Sequence, residues 1–160
     1  MSLHLTPMPL TADAFAPFGD VIEVSGEPDK IINQGLCGRY HDLARLDFTD
    51  GRAGISLFDA QARTLPYVVD MVERHPQGSQ AFMPVSGVPF LVIVAEDDKG
   101  TPVRLRAFLT KEGQSINLFR GVWHGVLAPI GAPGRYVVVD RIGAGDNLQE
   151  FWFETPYVVE

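Results

Sequence analysis

Glu73-Arg74-His75-Pro76-Gln77-Gly78-Ser79-Gln80-Ala81-Phe82-Met83-Pro84-Val85-Ser86-Gly87 is the stretch on which the fold turns. It is answered about forty residues later by Gly121-Val122-Trp123-His124. Residues two apart in a strand share a face, so Glu73 and His75 project together. If the chain turns through His75 to Ser79, Gln80 opens the returning strand and faces the same interior. His124 begins a further strand. Four polar side chains then converge at the mouth of a barrel, where small-ligand pockets form.

The rest of the chain supports that architecture. Short segments rich in Val, Ile, Phe and Tyr recur at 18–24, 67–73, 80–84, 90–95, 103–109, 115–118, 122–127, 136–142 and 151–154. Each ends at Gly, Pro, Asp or Asn, as half-buried strands do. Residues 1–10 read as an entering strand, with Leu3 and Leu5 alternating with polar neighbours. Thr11 is placed to cap one helical turn that Pro17 stops. Leu43, Leu46 and Phe48 suggest a strand that Asp50-Gly51 would join to 52–58 as a hairpin. No ten-residue amphipathic pattern occurs, and no repeat or linker divides the chain. The expectation is one all-β domain over residues 1–160, a barrel or sandwich with one short N-terminal helical turn. The apolar stretch Phe151 to Val159 must pack on something: a further strand of its own sheet, or a second subunit.

Composition excludes several classes of function. The 160 residues carry a net charge of −7, with a pI near 5.0, the wrong balance for a nucleic-acid surface. No apolar run approaches the roughly 20 residues of a membrane span, and no secretory leader opens the sequence. Cys37 is the one cysteine, so an internal disulfide and a cysteine-based zinc site are excluded. We read a reduced, cytoplasmic protein, with Cys37 an incidental loop residue lacking a partner base. Ten of the 13 basic residues are arginine, which suits fixed bonding to carboxylates.

Imidazole, carboxylate and amide oxygen together are reasonable ligands for a divalent ion such as Ni, Mn, Fe or Zn. The spacing Glu73-x-His75, four residues, Gln80, six residues, Gly87, with Gly121 three before His124, resembles the two motifs of the cupins. It departs from them at Glu73, where His is usual, and at Gln80, where Glu is usual. A resemblance to a cupin-like jelly-roll barrel is thereby implied.

Longer blocks make the likeness narrower. Phe18-Gly19-Asp20-Val21-Ile22, Ile32-Asn33-x-Gly35, Arg39-Tyr40-His41-Asp42-Leu43-Ala44, Glu73 to Pro84, Leu105-Arg106-Ala107-Phe108, Val122-Trp123-His124 and Asp140-Arg141 together resemble the bacterial ureidoglycolate lyases. That resemblance, from about residue 10 to about residue 147, implies elimination of urea from (S)-ureidoglycolate to give glyoxylate in allantoin breakdown. It also implies a homodimer and a divalent ion, often nickel.

Eliminating urea requires a base for the hydroxyl proton and an acid for the departing nitrogen. His75 and His124 are expected as ion ligands or as the acid–base pair, and Glu73 as a third ligand or the base. Gln80 is expected to ligate the ion or to bind the ureido group. Arg39, Tyr40 and His41 form a second polar cluster that would reach substrate by folding over the mouth, from this subunit or its partner. Arg39 would then clamp the carboxylate. Trp123 either stacks over substrate or belongs to the barrel wall. Asp140 or Arg141, ending a strand, is placed to reach the site, although Arg106, Arg120, Arg135 and Arg141 are mostly expected on solvated faces. Histidines in isolation are commonly surface or satisfied core residues; the joint spacing with Gly87 and Gly121 is what singles out His75 and His124. An amidohydrolase of the same substrate, a metal-dependent sugar isomerase and a non-catalytic barrel binding a small acid are the alternative readings.

Overall fold

A computed structural model describes residues 3–160; the start of the expected entering strand, residues 1 and 2, lies outside the described residues. Strands run β1 (Leu3–Leu5), β2 (Met8–Pro9), β3 (Gly19–Ile22), β4 (Lys30–Ile32), β5 (Cys37–Arg39), β6 (Arg52–Ala60), β7 (Tyr67–Arg74) and β8 (Gln80–Pro84). They continue as β9 (Phe90–Asp98), β10 (Thr101–Leu109), β11 (Ser115–Leu118), β12 (Trp123–His124), β13 (Ala128–Pro129), β14 (Gly134–Ile142) and β15 (Gln149–Val159). Helix α1 is the single turn Ala12–Phe15; the Thr11 hydroxyl accepts from Ala14 N at 3.2 Å, the expected cap.

The strands form two main sheets. An eight-stranded sheet has the order β1-β15-β7-β12-β9-β10-β2, with β13 also pairing β9; a five-stranded sheet has the order β3-β11-β8-β14-β6. Strands β4 and β5 make a separate hairpin. Among the described residues no helix is long and apolar enough to cross a membrane.

Period-two alternation sorts the side chains into two cores. Val92, Val94 and Phe108 of the larger sheet meet Phe82, Ile116, Leu118, Tyr136 and Val138 of the smaller one, filling the space between the sheets. The intervening residues Leu91, Ile93, Ala95 and Ala107 point the other way, packing with Val69, Trp123, Val159, Phe151 and Tyr157. β9 is therefore buried on both faces from Phe90 to Ala95, which is why its sequence is a continuous apolar run. The Phe151 to Val159 stretch finds its place here, as strand β15 on β7.

Two local expectations are corrected. Residues 43–48 do not form a hairpin with β6. β6 pairs along its whole length with β14, from Arg52↔Ile142 to Ala60↔Gly134, a longer ladder than 43–48 offers. The 43–49 segment instead straps the turn before β8: Ser79 N donates to Asp47 O at 2.8 Å, Thr49 N to Gln77 O at 2.8 Å, and Asp47 N to the Ser79 hydroxyl at 2.9 Å. Arg141, expected on a solvated face, is buried. Its guanidinium donates to the carbonyls of Thr49 at 2.6 Å, Asp50 at 2.8 Å and Ala144 at 2.9 Å. A Cβ on Gly143 would lie 2.6 Å from that guanidinium, so the glycine makes the room.

Candidate functional site

Three strands and one turn set the site. His124 lies opposite Glu73 of β7 and opposite Val94 of β9. Val94 belongs to the core between the sheets, so His124 and Glu73 share its face. His75 follows β7, and its carbonyl accepts from Gly121 N at 3.0 Å. Gly121 takes φ 78°, the left-handed conformation that lets the chain turn into β12. The two imidazoles come to rest with ring centroids 5.1 Å apart. His75 Nε2 lies 4.0 Å from Glu73 Oε1.

The hydrogen bonds fix the tautomers. His75 Nδ1 is 2.7 Å from the Asn147 carbonyl and His124 Nδ1 is 2.9 Å from the Gly125 carbonyl. A carbonyl only accepts, so each Nδ1 carries a proton, and in the neutral imidazole the lone pair lies on Nε2. Both Nε2 atoms are buried without a hydrogen-bond partner. One donor atom from each of Glu73, His75 and His124 falls within 4.8 Å of the others. Two imidazoles oriented through Nδ1 and one carboxylate fit a borderline divalent ion.

Electrostatics agree with that fit. Burial, and then the neighbouring His75, lower the His124 pKa to about 4, against the opposing bond to Gly125. His124 is therefore neutral at physiological pH, as a ligand must be. Burial raises the Glu73 carboxyl above its ordinary value; His75 pulls it back and Glu150 adds to the rise.

Gln80 enters from the smaller sheet. It is two residues before Phe82 and opposite Leu118, both in the core between the sheets, so it faces the same interior. Its Nε2 donates to Asp140 Oδ2 at 3.2 Å, and its Oε1 is buried and unpartnered. Trp123 takes the wall role. Its side chain alternates away from His124 into the outer core, its Nε1 donates to Asp97 at 2.8 Å, and the Arg74 guanidinium covers the ring at 4.2 Å. Arg39, Tyr40 and His41 are at the β4–β5 hairpin, outside both sheets. Tyr40 donates to the Gly26 carbonyl at 2.9 Å, and His41 N to Asp29 at 2.8 Å. Within one chain they are not gathered with the histidines.

Sequence reasoning missed the loop that orients His75. Besides its carbonyl on Nδ1, Asn147 accepts from Gln77 N through Oδ1 at 2.7 Å. A backbone carbonyl leaves no mark in the sequence. Asp140, expected with Arg141 at the strand end to reach the site, meets Gln80 there, because Tyr136, Val138 and Asp140 alternate onto one face.

Comparison with known proteins gives this geometry a family. The ureidoglycolate lyase family model matches residues 2–160. The chain is 72% identical to a ureidoglycolate lyase of Rhodobacter capsulatus over 153 residues, covering 95% of each protein. It is 51% identical to one from a Chelativorans species, covering 94% of this chain and 93% of the relative. A dTDP sugar isomerase from Desulfovibrio desulfuricans aligns over 84% of this chain and 82% of its own, at 15% identity and a TM-score of 0.48. With its donor set in place and the match running through every strand, the chain belongs to the ureidoglycolate lyase family.

Proposed function

We propose that this protein is a ureidoglycolate lyase that eliminates urea from (S)-ureidoglycolate and leaves glyoxylate. The observation that carries the reading is the pair of buried, unpartnered Nε2 atoms beside the Glu73 carboxylate, in a chain matched end to end by lyases of that name. His75, His124 and Glu73 would hold a divalent ion, and nickel is the ion we propose. Such an ion, when bound, supplies a Lewis acid for the carboxylate and hydroxyl oxygens of the substrate.

Glu73 has two carboxylate oxygens, one for the donor set and one for a substrate proton. Burial raises its proton affinity above the ordinary carboxylate value, the direction a general base requires. It takes the hydroxyl proton as the C–O bond becomes a carbonyl. The carbon–nitrogen bond breaks, its electron pair stays on the ureido nitrogen, and the proton held by Glu73 passes to that nitrogen. Glyoxylate and urea account for all the atoms. Gln80 Oε1 accepts from a ureido N–H.

We assign Arg39 to the substrate carboxylate, delivered from the partner subunit of a homodimer together with Tyr40 and His41. The outer face of β6 supports association: Ile55 and Leu57, at 76% and 66% exposure, stand there opposite Val139 and Val137. An exposed thiol at Cys37 accords with the reducing cytoplasm.

The test is incubation with (S)-ureidoglycolate after chelation, then after restoring nickel or manganese singly, with glyoxylate, urea and ammonia all quantified. Equal amounts of urea and glyoxylate, dependent on the ion, are expected. Ammonia without urea would make the enzyme an amidohydrolase.

A further inference from the structure

We infer that Asp140 is a positioning residue that fixes the Gln80 amide, and so makes the site read a hydrogen-bond donor on its substrate. The inference rests on the lyase reading above and adds to it the group that sets the polarity of the ureido contact.

A glutamine side chain is ambiguous by shape: rotated half a turn, it exchanges an acceptor oxygen for a donor nitrogen at nearly the same position. In a site meant to tell N–H from C=O that ambiguity has to be removed. Asp140 removes it. Its carboxylate oxygen Oδ2 accepts from the Gln80 nitrogen at 3.2 Å, and the amide oxygen is turned away from it.

That oxygen is buried with no partner, on a residue 7% exposed. A buried acceptor left without a donor is destabilising, and here a substrate donor relieves it. Both residues reach the interior by strand alternation. Gln80 lies two before Phe82, and Asp140 two after Val138; Phe82 and Val138 are directly paired in the core between the sheets. The acceptor is thus anchored on the smaller sheet, while Glu73, His75 and His124 belong to the larger one or the turn that follows it. A ureido group bears N–H donors on both nitrogens, the chemistry this oxygen would take.

The Asp140→Asn change separates positioning from packing. The introduced asparagine amide can accept from the Gln80 nitrogen or donate to the Gln80 oxygen, so the glutamine is no longer held one way and presents NH2 where an acceptor stood in part of the population. Adding Gln80→Glu restores the acceptor, because the new carboxylate accepts from that asparagine through one oxygen and offers the other. Wild type, D140N and D140N/Q80E are compared as nickel-loaded protein for KM, kcat, thermal midpoint and ion content. We expect KM to rise by roughly twofold to tenfold in D140N as the competent orientation is diluted, with the midpoint and ion content near wild type, and most of the lost kcat/KM to return in the double variant.

Wild-type kcat/KM in D140N would overturn the inference. So would a folded double variant no better than the single one, or a D140N protein that fails to fold and is not rescued. Loss of the ion in D140N would assign Gln80 to the metal instead. Urea release by the wild type tests the lyase reading separately, before either variant is considered.

Discussion

His124 and Glu73 stand directly opposite one another on β12 and β7, and His124 meets Val94 of β9 at the same level. The most deeply buried donor is therefore held by its two neighbouring strands rather than by a loop, and its ring is oriented further by the Gly125 carbonyl. A site built this way loses a ligand without losing its shape.

Accordingly, His75→Ala and His124→Ala should each lower kcat/KM by about a thousandfold or more. Circular dichroism should remain that of the wild type, and nickel content measured by mass spectrometry should fall. Near-normal turnover in both variants would remove the histidines from the mechanism.

The chelated protein should lose stability on the acid side in a defined window. His124 drops from 6.5 in the unfolded chain to about 4 in the fold. Between those values the unfolded state binds more protons, so stability falls as pH falls from 6.5 and levels off below 4. The full difference is on the order of 3 kcal/mol. Glu73, raised by burial, works the other way: it favours the fold below 4.5, and that contribution fades as pH climbs to its raised value. Urea denaturation at several pH values should show the acid-side loss in the wild type and a smaller one in His124→Gln. Equal pH dependence in both would refute it.

Arg141→Met should destabilise the protein by about 2–4 kcal/mol, since three carbonyls lose a buried guanidinium. Two of those carbonyls belong to the 49–50 segment and one to Ala144, near the loop that orients His75. Activity should fall as well. An unchanged thermal midpoint would show that the buried charge contributes nothing net.

If β6 carries the proposed dimer, Ile55→Asp with Leu57→Asp should give a monomer by analytical ultracentrifugation, by putting carboxylates on the exposed apolar face of β6. If Arg39 serves the partner's site, kcat/KM falls with the dimer. A variant that sediments like the wild type would place the interface elsewhere.

The legible and the illegible parts of this protein differ in physical kind. Strands announced themselves through period-two patterning and turn residues, and His75, Gln80 and His124 through their spacing; all three reach the interior. The 43–49 strap did not, because a segment held by Ser79 and Gln77 carries the same apolar spacing as a strand. Arg141 misled for the same reason. Alternation turns it away from the core between the sheets, and only the strap, which no local pattern predicts, covers it. Arg39, Tyr40 and His41 were legible as a polar block, but a block's destination depends on tertiary contacts.

The backbone bond from Gly121 N to the His75 carbonyl joins points far apart along the chain, and so does the pairing of His124 with Glu73. Neither can close until the strands between them have found their register, and such distant closures are slow. The cluster of Glu73, His75 and His124 therefore assembles with the sheet that carries it. Regained turnover during renaturation should therefore never precede the return of the backbone signal.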